Sequence, residues 1–201
     1  MRVKEGNKER DILKAAIKVF AESGYHNAKM SKIAEMAVVS TGSLYVYYKN
    51  KEEILMKIFD TIWKDIFEKT MILASREDIS NVEKFDNMLD MIFDAFTESP
   101  EIAMVIANEQ KHFQHRVSQK FTPYFDEFIK LGELIVKDGV TKKVFNPNFD
   151  TILLRIFILG GFGDLITEWA MNKDNISLNS IRTTIKFVLK HGILNQNRNS
   201  Y

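Results

Sequence analysis

Only three prolines and nine glycines interrupt the 201 residues of this chain, and that scarcity constrains its fold class more than any other feature. Pro and Gly stop helices and turn strands, and long stretches here contain neither. Lys, Glu, Leu, Ile, Ala and Met dominate, and no run alternates apolar and polar residues between turn dipeptides as strands do. The expected architecture is all-α. Apolar residues make up 45 % of the chain against a formal net charge of +1, enough to bury a core and too apolar for disorder. The longest apolar runs, 37–39 and 102–107, fall far short of the roughly 20 residues that cross a bilayer. Residues 1–5 are not followed by the apolar segment of a secretory signal. With no cysteine, disulfides, thiolate metal sites and cysteine nucleophiles are excluded together. A cytoplasmic globular protein without a membrane partner is expected.

Ile12, Leu13, Ala16, Ile17 and Phe20 recur at three- and four-residue steps and predict a first helix over 8–23, with Gly24 at its left-handed end. Short helices are predicted over 29–37 and 40–47. Asn50, with Glu53 three residues on, then opens a long helix to about residue 73. Further helices are predicted over 82–97, 101–115, 118–138, 149–172 and 178–195. Pro100 suits a helix start, 139–148 reads as a turn, and Asn148 or Asp150 can cap the helix after it. Two short helices supported by a third make a helix-turn-helix geometry. The expected division is a helix-turn-helix unit over 1–50 and a larger helical unit over 51–201, with 51–73 as the connecting helix.

The second short helix carries the chemistry. Ser40, Thr41, Gly42 and Ser43 make a small polar first turn that lets a backbone come close to a base edge. Tyr45 and Tyr47 place hydroxyls where phosphate oxygens would lie, and Lys49 and Lys51 come next. A helix of this size fits the major groove, with phosphate contacts setting register and base contacts reading sequence. Residues 1–59 hold eleven Lys and Arg against seven Asp and Glu, so the rest of the chain is negative. That split favours a polyanion partner for the N-terminal part.

Gly24-Tyr25, Ser31-Lys32-Ile33-Ala34 and the run from Ser40 through Tyr45-Val46-Tyr47-Tyr48-Lys49-Asn50-Lys51-Glu52-Glu53-Ile54-Leu55 closely resemble the TetR family of bacterial transcriptional regulators, over about residues 8–60. The resemblance implies an N-terminal DNA-binding domain on an all-α C-terminal domain that binds a small effector and forms a homodimer. It implies that Thr41, Gly42 and Ser43, behind Ser40, meet the groove. Tyr45, Tyr47, Lys51, Lys29 and Met30 are then backbone contacts, and Leu44 and Tyr48 face the core. Two positions depart from the family pattern. Val38 stands where the turn usually carries Gly, and a β-branched residue at positive φ is costly. Ala28 stands where a Ser or Thr usually caps the second helix, and Asn27 is the candidate substitute.

The helix over 149–172 is apolar around more than half its circumference, and residues 178–195 supply a second stripe. The resemblance implies that these helices pair across a twofold axis through Ile156, Gly160, Gly163, Ile185 and Leu189, which predicts a palindromic operator on double-stranded DNA. The middle helices are rich in Phe and Met. Phe85, Met88, Met91, Ile92, Phe93, Phe96, Met104, Phe113, Phe121, Phe125 and Phe128 are candidates to line a pocket for a small hydrophobic effector, although any single one of them is more commonly plain core. Residues 165–172 look like a subset of TetR regulators that control fatty-acid degradation and respond to long-chain acyl-CoA. Lys111, Arg116, Lys120 or Arg155 could meet its phosphates, and a fatty acid is the related ligand.

The expected protein is therefore a repressor released by such an effector. The competing effector is a hydrophobic cation, as in multidrug sensors that repress efflux genes, since the C-terminal part is aromatic and mildly acidic. From another class, a helical carrier or enzyme without DNA binding competes. The chain offers no phosphate-cradling Gly-rich loop, HExxH, GxSxG or evident acid–base pair, so no catalytic residue and no cofactor is expected. Glu109, His112 and His115 lie on adjacent faces of one helix, but structural metal sites need about four ligands, so no metal is expected.

Overall fold

The computed structural model describes residues 5–116, 122–148, 150–172 and 175–193; within these, the side chains of 5–7, 107, 110–116, 170–171 and 193 are not described. Among the described residues the regular structure is nine helices: α1 (Glu5–Asn27), α2 (Met30–Met36), α3 (Thr41–Tyr47), α4 (Lys51–Ser75), α5 (Asn81–Glu98), α6 (Pro100–Arg116), α7 (Pro123–Thr141), α8 (Thr151–Met171) and α9 (Leu178–Ile193). None is long and apolar enough to cross a membrane.

The helix ends follow their punctuation. Gly24 breaks α1 with φ 73°. The Asn50 side chain accepts the Glu53 N–H at 2.9 Å, and Glu53 reaches one residue further back than a capping box requires, to the Lys49 N–H at 2.8 Å. Ser80 and Glu83 complete a true capping box on α5. Asp150, not Asn148, caps α8 by accepting from the Ile152 and Leu153 amides. Three expectations fail. The helix predicted to start at 118 starts at Pro123, with Thr122 as its N-cap. Residue 139 belongs to α7 and not to the turn: a Cβ on Gly139 would lie 2.4 Å from the Phe145 ring, so glycine is required by packing. Lys29, rather than Ala28 or Asn27, is the N-cap of α2 and makes no side-chain cap bond. Asn27 turns its amide back to the Ser23 carbonyl instead.

Val38 is the strained point. The Val38 and Val39 amides donate to the Glu35 and Ala34 carbonyls, the paired bonds of a Schellman end, which place Val38 at the left-handed position glycine normally fills. Its φ is 55°, and its side chain is 92 % exposed, so packing returns nothing for the strain. Val38→Gly is expected to stabilise the protein by about 1 kcal/mol after the entropy of glycine is counted, seen as a thermal midpoint raised by roughly 2–4 °C.

One continuous apolar cluster runs from Ile12 in α1 through Leu44 in α3, Ile54 to Ile66 in α4 and Phe93 and Phe96 in α5 to Ile166 and Ile181. α4 lies along α7, while α1 packs on α6 as well as on α2 and α4. α9 is held to α5 by charge: Arg182 meets Asp90 and Asp94, and Lys186 meets Asp86 and Asp90, all within 2.6–2.8 Å.

Candidate DNA-binding surface and effector cavity

α3 is anchored on one side and open on the other. Leu44 and Tyr48 are buried as expected, and the Tyr48 hydroxyl donates to the Glu9 carboxylate at 2.9 Å. Burial, and then Glu9, push the phenol pKa of Tyr48 well above its usual value, so it stays a neutral donor. The Ser40 oxygen is taken up as the α3 cap, accepting the Ser43 N–H at 3.1 Å. Thr41, Gly42 and Tyr45 are exposed, Ser43 is half-buried, and Tyr47 lies half-buried against the core. A Cβ on Gly42 would meet no atom within 4 Å. Nothing inside the chain calls for glycine there, although glycine costs about 1 kcal/mol in a helix.

Val46 is a surface residue that the sequence reading misses. It is 83 % exposed beside Tyr45, four residues after Gly42 and so on the same face of the helix. That spacing is the signal available in the sequence. An exposed valine there offers methyl groups of the kind that contact thymine methyls.

Lys51 does something other than expected. Its ammonium donates to the carbonyls of Tyr25 and His26 at 2.7 Å and of Ala28 at 3.2 Å, and lies 4.8 Å from the Tyr25 ring centre. Those three bonds use all the donors of an ammonium. In this structure Lys51 ties the end of α1 to the start of α4. Lys29 is exposed and Met30 half-buried.

Farther along, α4 brings Trp63 against two α7 rings, Phe125 at 4.7 Å and Phe128 at 5.5 Å between centroids. Phe128 is also a wall of an apolar cavity of about 100 Å³ between α5, α7 and α8. Among the described residues its lining is apolar except for Thr151, Glu133 and Arg155, the last two paired at 2.9 Å. Of the sequence candidates for the effector pocket with described side chains, Phe85, Met88, Ile92 and Phe128 line this cavity. Phe125 is core against Trp63, and Phe93 and Phe96 face a separate hollow of about 290 Å³ with Trp169 and Arg182. Met104 is half-buried away from both hollows. Phe113, Lys111, Arg116, His112 and His115 have side chains outside the described ones, and Lys120 and Phe121 lie outside the described residues. Glu109 is buried in α6, and among the described residues no three His, Asp or Glu side chains are grouped to hold a metal ion.

α8 is apolar around more than half its circumference, yet Ile152, Leu153, Ile156, Phe157 and Leu165 are exposed, as are Phe187 and Val188 on α9. So broad an apolar face is normally covered. Gly160 and Gly161 again have no atom within 4 Å of a built Cβ, and Gly163 is half-buried. The outward face of α9 differs from the expected one. Leu189 is 6 % exposed and Ile185 packs against the core, while Phe187 and Val188 face outward.

Comparison with known proteins agrees with this geometry. Residues 12–58 match the model of bacterial regulatory proteins of the tetR family, and residues 64–192 match that of the C-terminal region of YsiA-like proteins. The fatty acid metabolism regulator protein of Bacillus subtilis is 28 % identical over 189 residues, covering 94 % of this chain and 97 % of that protein. The fatty acid degradation regulator FadR of Bacillus halodurans superposes with a TM-score of 0.82 at 28 % identity, covering 94 % of this chain and 98 % of its own. FadR of Bacillus subtilis, solved in complex with stearoyl-CoA, gives 0.80 at 27 % identity over 92 % of this chain and 98 % of its own. The open face of α3, the α4 link to a cavity and the two matched regions together place the chain in the TetR family, as a ligand-responsive DNA-binding transcriptional regulator.

Proposed function

We propose that the protein is a homodimeric repressor that grips a palindromic operator with two copies of α3 and lets go when a long-chain acyl compound, acyl-CoA foremost, enters the cavity between α5, α7 and α8. The observation that carries this reading is the course of α4. One unbroken helix is tied at its start to the α1 end through Lys51, and presses Trp63 on Phe128, a wall of the cavity. A ligand that moves Phe128 therefore moves the helix to which the end of α1, and with it the α1–α3 unit, is tied.

Thr41, Gly42, Ser43 and Val46 are the groove contacts in this reading, while Tyr45, Tyr47, Lys29 and the Ser40 hydroxyl hold phosphates. The dimer forms through the exposed face of α8 with Ile156 and Gly160, joined by Phe187 and Val188. The protein acts in the cytoplasm and is assigned no reaction. The cavity, at about 100 Å³, is smaller than the ~300–1,000 Å³ typical of ligand sites. A long chain fits only if the helices part, and that parting shifts the population away from the DNA-holding form. Among the described residues a hydrophobic cation finds one carboxylate in the wall, Glu133, already paired with Arg155, which favours the acyl ligand.

The test is fluorescence anisotropy of a labelled operator duplex held by the protein. Palmitoyl-CoA is expected to weaken binding by at least about tenfold, the scale of a 1–3 kcal/mol coupling. Undiminished binding at saturating palmitoyl-CoA would remove the effector assignment.

A further inference from the structure

Among the described residues, Glu133 and Arg155 are the only charged ones in the cavity wall, and they neutralise each other. Both are part in solvent and part in the wall, with side-chain exposures of 22 % and 38 %, which puts the pair at the mouth. The contact is one-sided: Nη1 of Arg155 donates to one Glu133 oxygen at 2.9 Å. A guanidinium has further donors in a planar fork that suits a second carboxylate or a phosphate. An amphiphile with its chain on Ile158, Leu159 and Phe128 would bring its head group to this fork, beside the charge of Glu133.

We infer that Glu133 competes with an anionic head group for Arg155, so that Arg155 draws single-chain anionic amphiphiles and Glu133 sets the concentration at which they bind. This deepens the effector reading above and rests on it. Like charges held a few ångströms apart repel even where water penetrates, so the carboxylate of Glu133 lowers affinity for every anion that reaches Arg155. It leaves a neutral chain unaffected. The anion can be the carboxylate of a free fatty acid or a phosphate of a CoA thioester. A carboxylate sits directly on its chain, whereas the phosphates lie beyond a long neutral spacer.

Calorimetric titration of the full-length protein with dodecanoate, dodecanoyl-CoA and dodecanol separates these cases. Glu133→Gln keeps the size of the side chain and removes its charge. It is expected to tighten an anionic ligand by about threefold to tenfold, the scale of a partly exposed charge pair, with dodecanol unchanged. Arg155→Gln is expected to act in the opposite direction on the same ligand. A gain confined to dodecanoate assigns the fork to a carboxylate, and a gain confined to dodecanoyl-CoA assigns it to a phosphate. An equal gain for dodecanol would mean a loosened cavity and would overturn the inference, as would no gain for either anion. A purely structural pair would lower the melting temperature of both variants and leave the ranking of the three ligands untouched. If the wild-type protein binds none of the three, the effector reading falls as well.

Discussion

Arginine in place of Phe157 is expected to leave the chain folded, turn the dimer into a monomer, and cut affinity for a two-half-site duplex by a hundredfold or more. Phe157 is 67 % exposed, so an arginine there disturbs no packing within one chain. On the proposed interface it would bury an unpaired charge, at several kcal/mol. The loss on DNA arises because two linked α3 helices gain about 10²–10⁴ in affinity over one, through effective concentration. Light scattering reads the mass and anisotropy reads the duplex. Leu189→Arg is the control: Leu189 faces the core, so that variant should unfold the chain and not merely separate two copies. A Phe157→Arg protein that remains dimeric would move the interface elsewhere.

Lys51→Ala is expected to destabilise the protein by about 2 kcal/mol in the absence of DNA, since it removes charge-assisted bonds to three carbonyls at the end of α1. That corresponds to a thermal midpoint lowered by roughly 4–8 °C. Had the ammonium served a phosphate, the midpoint would be unmoved and the salt dependence of DNA binding would lose about one ion equivalent. Because Lys51 fixes α4 against the α1 end, its removal is also expected to blunt the response of DNA binding to effector. Differential scanning calorimetry and a salt titration of binding distinguish the two roles.

The features legible in the sequence are local ones. Asn50, Pro100 and Asp150 mark helix starts through their own backbone chemistry, and Val38 announces strain because a β-branched residue sits where the turn wants glycine. The all-α fold and the helix-turn-helix rest on the same short-range logic, whereas the core positions of Leu44 and Tyr48 come from the family resemblance. Other features depend on contacts that no short-range pattern encodes. α9 carries apolar residues on two faces, and nothing in its spacing says that Leu189 meets the core while Phe187 and Val188 meet solvent. Phe93, Phe96 and Phe125 are of the residue type that lines pockets, but the same type fills cores, and only the placement of α5, α7 and α8 separates them. Lys51 looks like a phosphate ligand until α1 is seen to end beneath it, 23 to 26 residues back in the chain. Arg182 and Asp90, 92 residues apart, are beyond any local reading.

The most direct test of α3 as a groove-reading helix is selection of duplexes bound by the full-length protein from a random-sequence pool, with sequencing of the retained fraction. Enrichment of an inverted repeat is expected, its half-sites centred about one helical turn apart, roughly 34 Å, or a multiple of it. The enrichment should vanish when Gly42, whose Cβ would meet nothing within the chain, is replaced by a bulky residue in a protein that remains folded. A pool that stays random at low salt, or a consensus unaffected by that substitution, would contradict the assignment of α3 to DNA.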